Sequence, residues 1–412
     1  MTFQRFIFLS GIIILLFSGC TQRETDAGIQ AITGLPDDQF AVVSGTPTVS
    51  ASWIPEYTNG ASQSLQVGNA NGLYAYTAVR FNVASILPDS FTLDSFPSMQ
   101  VRFQRNRVWP ADANTDLRLV MREITESWTE ADLIPGSLPD YENYPIIDSG
   151  LTINAVDSTV KFTIPRDLWT RWIEEDTTTY GLLFEPRWEG LMLEWYSSEF
   201  ISTTYPDYPP TLLFNNFQVW RSTDSAWVDS TFSVAAAHDA FLVKDGAPHD
   251  PGRIYVSQGL PGRAVLYFPV DTLYAQFSRS VVRAELQIFA DSLNPATFQF
   301  VAGQNILFKD GSILDTSWIA KRDSTGFLAA DDIESWYENS SSGMWDNTNR
   351  KFVLDVTGIV KDWVADPSSN AGVQILTSGA SSYLNRNVFH SGLSDSVSLR
   401  PRLYIWYTES QY

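Results

Sequence analysis

The stretch Val356–Leu376, VTGIVKDWVADPSSNAGVQIL, decides the fold, because the chain contains its pattern twice. The echo is Pro165–Phe184, PRDLWTRWIEEDTTTYGLLF. Setting Trp172 against Trp363 also sets Gly181 on Gly372 and Pro210 on Pro401, with Leu168 on Ile359 and Ile173 on Val364. In the later copy Val356, Ile359, Val360 and Trp363 recur at helical spacing, and in the earlier one Leu168, Trp169, Trp172 and Ile173 do the same. That spacing predicts a short amphipathic helix in each. Asp355 or Thr357 is a candidate cap for the later helix, and Pro165 suits the first turn of the earlier one. A polar turn follows, and then Gly181 or Gly372 opens an apolar strand, where glycine frees the backbone. Truncating a buried tryptophan costs about 3–5 kcal/mol. Trp172, Trp363, Gly181 and Gly372 are therefore assigned to the structural core.

The echo extends in both directions. TAVRFNV (Thr77–Val83) parallels AVLYFPV (Ala264–Val270), SMQVRF (Ser98–Phe103) parallels AELQIF (Ala284–Phe289), and YPPTLLF (Tyr208–Phe214) parallels LRPRLYIWY (Leu399–Tyr407). Four blocks in one order argue for duplication. Most alternate at period two: in RPRLYIWYT, Leu403, Ile405 and Tyr407 share one face while Tyr404 and Trp406 share the other. The expectation is an all-β chain of two tandem β-sandwich domains, residues 40–217 and 218–412. Residues 218–230 form their junction, and Phe217, Trp220 and Trp227 imply that it is packed.

Composition bounds the function. The chain has 412 residues, 44% hydrophobic and 14% aromatic, enough to bury two cores. Acids outnumber bases 47 to 27, giving a formal charge of −20. That excludes nucleic acid as a general partner, since phosphates need a basic face. It also disfavours polyanions.

The single cysteine is Cys20, so the chain holds no disulfide and no thiolate metal site. Before it runs MTFQRFIFLSGIIILLFSGC: a basic start at Arg5, an apolar run from Phe6 to Phe17, then small Ser18 and Gly19. This is a signal-peptide plan (residues 1–19), shorter than the roughly 20 apolar residues that span a bilayer. Its ending resembles a bacterial lipoprotein signal, which implies lipid on Cys20 and a membrane partner through it. Each buried acyl CH₂ contributes about 0.8 kcal/mol to such an anchor. Residues 20–39 are polar and aperiodic and read as a tether. Thr21, not Asp, follows the cysteine, which by the same resemblance points to the outer membrane, facing either side.

The motif order resembles the DNRLRE-type carbohydrate-binding modules of secreted bacterial proteins. Its pieces here are LQVG (Leu65–Gly68), VRFNV, AELQIF, SWTEADL (Ser127–Leu133), LDVTGIVKDW, SNAG, FHS (Phe389–Ser391) and RPRLYIWYT. The resemblance implies a jelly-roll-like sandwich with one short helix per copy, and a non-catalytic role in glycan or matrix contact. The alternatives are a structural spacer or assembly protein with no small ligand and, more distantly, a glycan-active enzyme.

Candidate chemistry is sparse. The three histidines, His238, His249 and His390, show no metal-ligand spacing, and His390 reads as a surface or strand-end residue. There is no nucleophile elbow and no phosphate loop. Asp346–Asn349 (DNTN) and Asp366–Asn370 (DPSSN) carry oxygens that could meet calcium, but read as polar turns, and no cofactor is expected. Loop aromatics are the candidates for ligand contact: Trp336, Tyr337 and Trp345 in WYENSSSGMWDN, Tyr141 and Tyr144 in PDYENYP, and Tyr205 and Tyr208 in YPDYPP. Rings beside Asp and Asn suit stacking on sugars, so a polysaccharide is the candidate partner; the alternative is that the long loops fold back and use these rings as their own core. In VRFQRNRVW, Arg105 and Arg107 share the parity of Val101 and Phe103. An unbroken strand would bury them, so a bulge or strand end is expected near Gln104.

Overall fold

The computed structural model describes residues 40–408, apart from 54–61, 84–97, 111–115, 131–140, 175–180, 188–189, 222–225, 247–248, 260–261, 271–279, 299–305, 311–326, 329–339 and 378–383. Cys20, Trp336 and Tyr337 lie outside the described residues. The strands are β1 Phe40–Gly45, β2 Val49–Trp53, β3 Ser64–Ala70, β4 Leu73–Arg80, β5 Ser98–Trp109, β6 Asp116–Glu123, β7 Ile146–Asn154, β8 Thr159–Ile164, β9 Leu182–Pro186, β10 Leu191–Tyr196 and β11 Thr211–Arg221. They continue as β12 Ala226–Ala235, β13 His238–Asp245, β14 Arg253–Gln258, β15 Arg263–Tyr267, β16 Ser280–Phe289, β17 Ile306–Asp310, β18 Phe327–Leu328, β19 Ser340–Asp346, β20 Lys351–Asp355, β21 Val373–Thr377, β22 Asn385–His390 and β23 Arg402–Thr408. Two α-helices occur among the described residues, α1 Arg166–Glu174 and α2 Thr357–Ala365. The chain is all-β in two sandwich-like units, each with the short helix that the repeat predicted.

Alternation builds each core. In the first unit, β5 sends Met99, Val101 and Phe103 inward against Phe162, Phe184 and Trp195, with Leu168, Trp169 and Trp172 of α1 closing over them. In the second, Leu286, Phe352, Leu403 and Ile405 meet Ile359, Val360 and Trp363 of α2. Asp355 accepts the Thr357 N–H at 2.9 Å, while the Thr357 hydroxyl turns to the backbone N–H of Ala284 at 2.9 Å. So Asp355 serves the helix start, and Thr357 ties it to β16. Gly181 and Gly372 both sit at positive φ, 106° and 103°. An added Cβ would lie 2.1 Å from the Val79 carbonyl oxygen at the first and 2.8 Å from that of Leu266 at the second. Val79 and Leu266 are themselves partners in the repeat, so the close approach was duplicated with the glycine.

The pairing crosses the domain boundaries read from the sequence. β1 lies antiparallel to β23, from Phe40↔Thr408 to Gly45↔Leu403, and β2 lies along β15. The homologous places in the first unit, beside β11 and β4, are filled by β12 and β13. Each unit thus receives a strand pair from the other half of the sequence. The division at 40–217 and 218–412 is corrected accordingly: residues 40–53 belong to the second sheet system and 226–245 to the first. Residues 218–230 are no connector between domains, because β11 and β12 form one long hairpin with Trp220 opposite Trp227. The physical reason is that the two receiving edges are homologous, so an alternating strand pair matches either one. A side-chain contact is duplicated with the exchange. Asp239 Oδ2 accepts the Ser198 N–H at 2.7 Å, and in the other unit Ser50 Oγ accepts the Gly392 N–H at 3.1 Å.

The units meet through a mixed core of Leu73, Met192, Phe241, Phe298 and Leu384. Arg386 of β22 is wholly buried there. It donates to Asp245 of β13 at 2.6 Å, to the Asn71 carbonyl at 2.5 Å and to the Ala296 carbonyl at 2.5 Å. Asn71, at positive φ in the β3–β4 turn, donates in return to the Thr297 carbonyl at 2.5 Å. These bonds give the buried guanidinium the partners that offset its desolvation.

Candidate functional site

Most of the aromatics singled out in the sequence go to structural use. Ser340–Asp346 is a strand, not a loop. It pairs with β20 from Asp346↔Lys351 to Gly343↔Leu354, around a turn in which Asp346 accepts the N–H groups of Thr348 and Asn349. Alternation on that strand points Met344 outward and packs Trp345 on Phe352, ring centroids 4.8 Å apart, against the second core. Trp345 is thereby removed as a stacking platform. Tyr144 is buried among Ile124, Trp128, Leu183 and Leu242. Tyr141 lies half-buried with its hydroxyl 3.0 Å from that of Tyr76 and its ring 4.8 Å away. Both tyrosines close a satellite core under a connection. Burial pushes the Tyr76 hydroxyl well above its ordinary pKa, and Tyr141 adds to the shift.

The calcium candidates resolve as turns. The Asp346 carboxylate is held below its usual range, chiefly by the Asn349 amide. Asp366 caps a 3₁₀ turn by accepting from Ser368. No group of three metal-ligating side chains occurs among the described residues. His390 is a buried strand end bonded to Ser394 at 2.9 Å, not a surface residue, and burial lowers its pKa.

Tyr205 and Tyr208 have a different fate. The β10–β11 connection, residues 197–210, brings them together with Tyr196 and Phe200. Tyr205 stacks on Tyr208 at 4.5 Å and 15°, and Tyr196 lies 4.7 Å from Tyr208 and 4.3 Å from Phe200. Tyr205 is 49% exposed and the neighbouring Ile201 91%. The result is a cluster of four rings in which Tyr205 is exposed and Tyr196, Phe200 and Tyr208 are half-buried.

Its scaffold is polar and well bonded. Ser197 donates its hydroxyl to the Ser62 carbonyl at 2.5 Å, the Tyr208 N–H reaches the Tyr205 carbonyl at 3.3 Å, and Arg102 donates to the Asp207 carbonyl at 2.8 Å. The anticipated bulge in β5 occurs: Trp195 pairs with Arg105 and Glu194 with Arg107, which throws Asn106 out of step. Arg107 and Asn106 then both serve the buried Glu194 carboxylate, at 3.1 Å and 2.5 Å. Of the basic spot read in the sequence, the half-exposed Arg107 is thus a counter-charge to Glu194, while Arg105 donates to the Ala155 carbonyl. Burial raises the Tyr196 pKa, with Tyr208 and Glu194 adding to it.

Behind the aromatic surface lies a carboxyl cluster invisible in the sequence. Asp239 of β13 is fully buried, bonded to the Ser198 N–H and close to Glu199, and its own N–H reaches Glu130 at 3.2 Å. His238 faces Glu130 at 3.5 Å. Burial holds the Asp239 carboxyl well above the usual range, and Glu199 adds to it; burial likewise raises Glu130. Tyr196 and Phe200 were not singled out in the sequence. Their signal was the aromatic spacing of EWYSSEF (Glu194–Phe200), just ahead of YPDYPP.

No family model matches the chain, and no curated protein does either. Among solved structures, one similar chain is a protein described as secreted from Parabacteroides distasonis ATCC 8503, at 10% identity over 90% of this chain and 89% of that one, with a TM-score of 0.16. Another is the infectious bursal disease virus VP2 subviral particle, at 8% identity over 92% and 79%, with a TM-score of 0.11. Scores of this size carry no argument about fold or function. No helix among the described residues is long and apolar enough to cross a membrane.

Proposed function

We propose that this chain is a non-catalytic cell-envelope protein, held to a membrane by lipid on Cys20, whose β-sandwich units contact a neutral polysaccharide. The observation that carries the reading is the aromatic cluster at the surface, with Tyr205 exposed and Tyr196, Phe200 and Tyr208 half-buried beside it. Flat rings offer their faces to the C–H side of a sugar, and the phenol hydroxyls meet its polar rim. The exposed carboxylate of Asp207 and the net charge of −20 favour a neutral over an acidic chain. Affinity electrophoresis of the full chain in neutral polysaccharide gels tests it. Retardation that disappears in Tyr205→Ala/Tyr208→Ala, with an unchanged thermal melt, supports the reading; no retardation in any gel overturns it. The anchor has its own test: Cys20→Ser releases the protein from the membrane fraction, and wild type already found there without lipid overturns that part.

A second reading, a rigid structural spacer, is favoured by the strand exchange and by the buried Arg386–Asp245 pair, which tie the units into one body. It expects unchanged behaviour in every gel and loss of assembly when the junction is broken.

A further inference from the structure

The strand exchange brings the start of β1 to one particular sheet face. β1 begins at Phe40, where residues 20–39 end, and lies on β23 in the second unit. β23 and β16 turn Leu403, Ile405, Leu286 and Ile288 into the core, so alternation leaves Tyr404, Trp406 and Phe289 on the outer face. Val42 pairs with Trp406 on one side of that face, and Met344 pairs with Val353 on the other. Val42 is 51% and Met344 68% exposed, while Tyr404, Trp406, Phe289 and Val353 between them are half-buried.

The homologous face of the first unit is polar. With Pro210 set on Pro401, the strand registers place Leu213 on Tyr404, Asn215 on Trp406, Gln104 on Phe289 and Lys161 on Val353. Exposed Thr159 and Thr163 continue the polar row on β8. Both faces point away from their cores, so core packing does not ask for the difference. The apolar version occurs in the unit that receives β1, the strand into which residues 20–39 lead.

The polar residues of the second face are bonded to one another. Arg283 donates to Glu285 at 3.0 Å, Gln287 to Glu285 at 2.6 Å and Lys351 to Gln287 at 2.7 Å. The Arg283 guanidinium lies 5.4 Å from the Trp406 ring centre, and the Lys351 ammonium 5.8 Å from that of Phe289. Arg283, Lys351 and Arg402 offset Glu285, Asp355 and Asp346, so the face is formally neutral on a chain of charge −20. Tryptophan and tyrosine beside long basic stems suit the headgroup level of a bilayer. Neutrality spares this face the repulsion that the rest of the chain meets at an anionic surface.

We propose that this outer face of the second unit rests on zwitterionic lipid headgroups and orients the anchored protein on its membrane. Such docking rests on the reading that Cys20 carries lipid. Residues 21–39 reach at most about 70 Å when extended, so anchor and face meet the same leaflet. The acyl chains hold the protein, and the face supplies a second contact that fixes its orientation.

The test uses phosphatidylcholine vesicles and two samples. One is the protein purified from membranes and reconstituted; the other is the unlipidated chain from Cys20 onward, coupled through the Cys20 thiol to a maleimide phospholipid. Hydroxyl-radical oxidation of Met344 is read by mass spectrometry, with Tyr205 of the first unit, 49% exposed, as the internal control. Met344 is expected to oxidise about fivefold or more slowly on vesicles than in the uncoupled chain, as lipid excludes water from it, with Tyr205 unchanged. Val42→Glu/Trp406→Glu is expected to return Met344 to the solution rate at an unaltered thermal melt. Should that double variant melt early, Val42→Glu alone, at an edge position, is expected to lessen the protection. Unprotected Met344, equal protection of Tyr205, or protection unchanged in the variants overturns the proposal. Protection that grows with concentration in the uncoupled chain, together with a doubled mass, assigns the face to a second copy and overturns it as well. Native protein without lipid on Cys20 overturns the anchor alone, and the coupled sample then decides the face.

Discussion

The two units share a backbone plan and spend their side chains differently. Where backbone geometry makes the demand, the copies agree: Gly181 and Gly372 bend the chain against homologous carbonyls, and Trp172 and Trp363 point from homologous helices into the two cores. Where only volume and polarity are at stake, they part. Leu193 stands opposite Asn387 in the comparison, Met192 opposite Arg386, and Asp239 opposite Ser50. Duplication therefore preserved what the topology requires and released what it does not. The released positions gather at the junction, behind the aromatic surface and at one end of the second core.

Copying one unit into the other breaks or sharpens this contrast. The largest effect is expected from Arg386→Met, which gives the second unit the first unit's residue but takes the guanidinium away from the buried Asp245, beside which His249 stands at 3.7 Å. Loss of one member of a buried pair costs about 3–5 kcal/mol. Chemical denaturation measures it, and adding Asp245→Asn is expected to recover part of the loss. A double variant as unstable as the single one would mean that packing, not charge, dominates there.

Next come the glycines. Gly181→Ala forces a Cβ nearer to backbone than Gly372→Ala does, at equally positive φ. Strain of this kind is of order 1–3 kcal/mol, and Gly181 is expected at the upper end or beyond it. Equal melting temperatures for the two variants would remove the difference between the two approaches.

Asp239 supplies a pH contrast. Its folded pKa is raised, so the neutral form is the one that suits the fold. Below the unfolded value of about 3.9 the carboxyl is neutral in both states and its stability contribution is complete. As pH rises through the raised folded value that contribution is lost, with a slope of at most about 1.4 kcal/mol per pH unit. Glu130 shifts in the same direction. Asp239→Asn is expected to flatten this part of the pH profile and stabilise the protein at neutral pH, whereas Ser50→Ala leaves the profile's shape unchanged. An unaltered profile in Asp239→Asn would show that the proton resides elsewhere in the cluster.

The smallest effect on stability, within about 0.5 kcal/mol, is expected from Tyr205→Ala, since its ring is half exposed. Thermal melting checks this, and a larger loss would make the aromatic surface a core in its own right.

Local pattern carried much of the architecture. Period-two blocks gave strands, helical spacing gave α1 and α2, and Arg105 and Arg107 announced the bulge by their parity. The exchange of β1–β2 for β12–β13 left no local mark, because alternation states which face is buried and not which edge receives the strand. Trp345 shows the same limit: serines and a glycine around it resemble a loop, yet cross-strand pairing with Phe352 makes it core. The cluster of Glu130, Glu199 and Asp239 joins three distant segments, and no spacing in the chain brings them together. Tyr205 and Tyr208 were legible because proline and aspartate held their segment out of any regular element.

The pairing of Phe40 with Thr408 places the first and last described residues side by side. Together with the exchanged strand pairs, this makes the chain a ring of two links, opened at a single point. A circular permutant that joins residue 408 to residue 40 and opens between Arg221 and Ala226 would retain every strand pairing described. The covalent turn would simply move from the β11–β12 edge to the homologous β23–β1 edge.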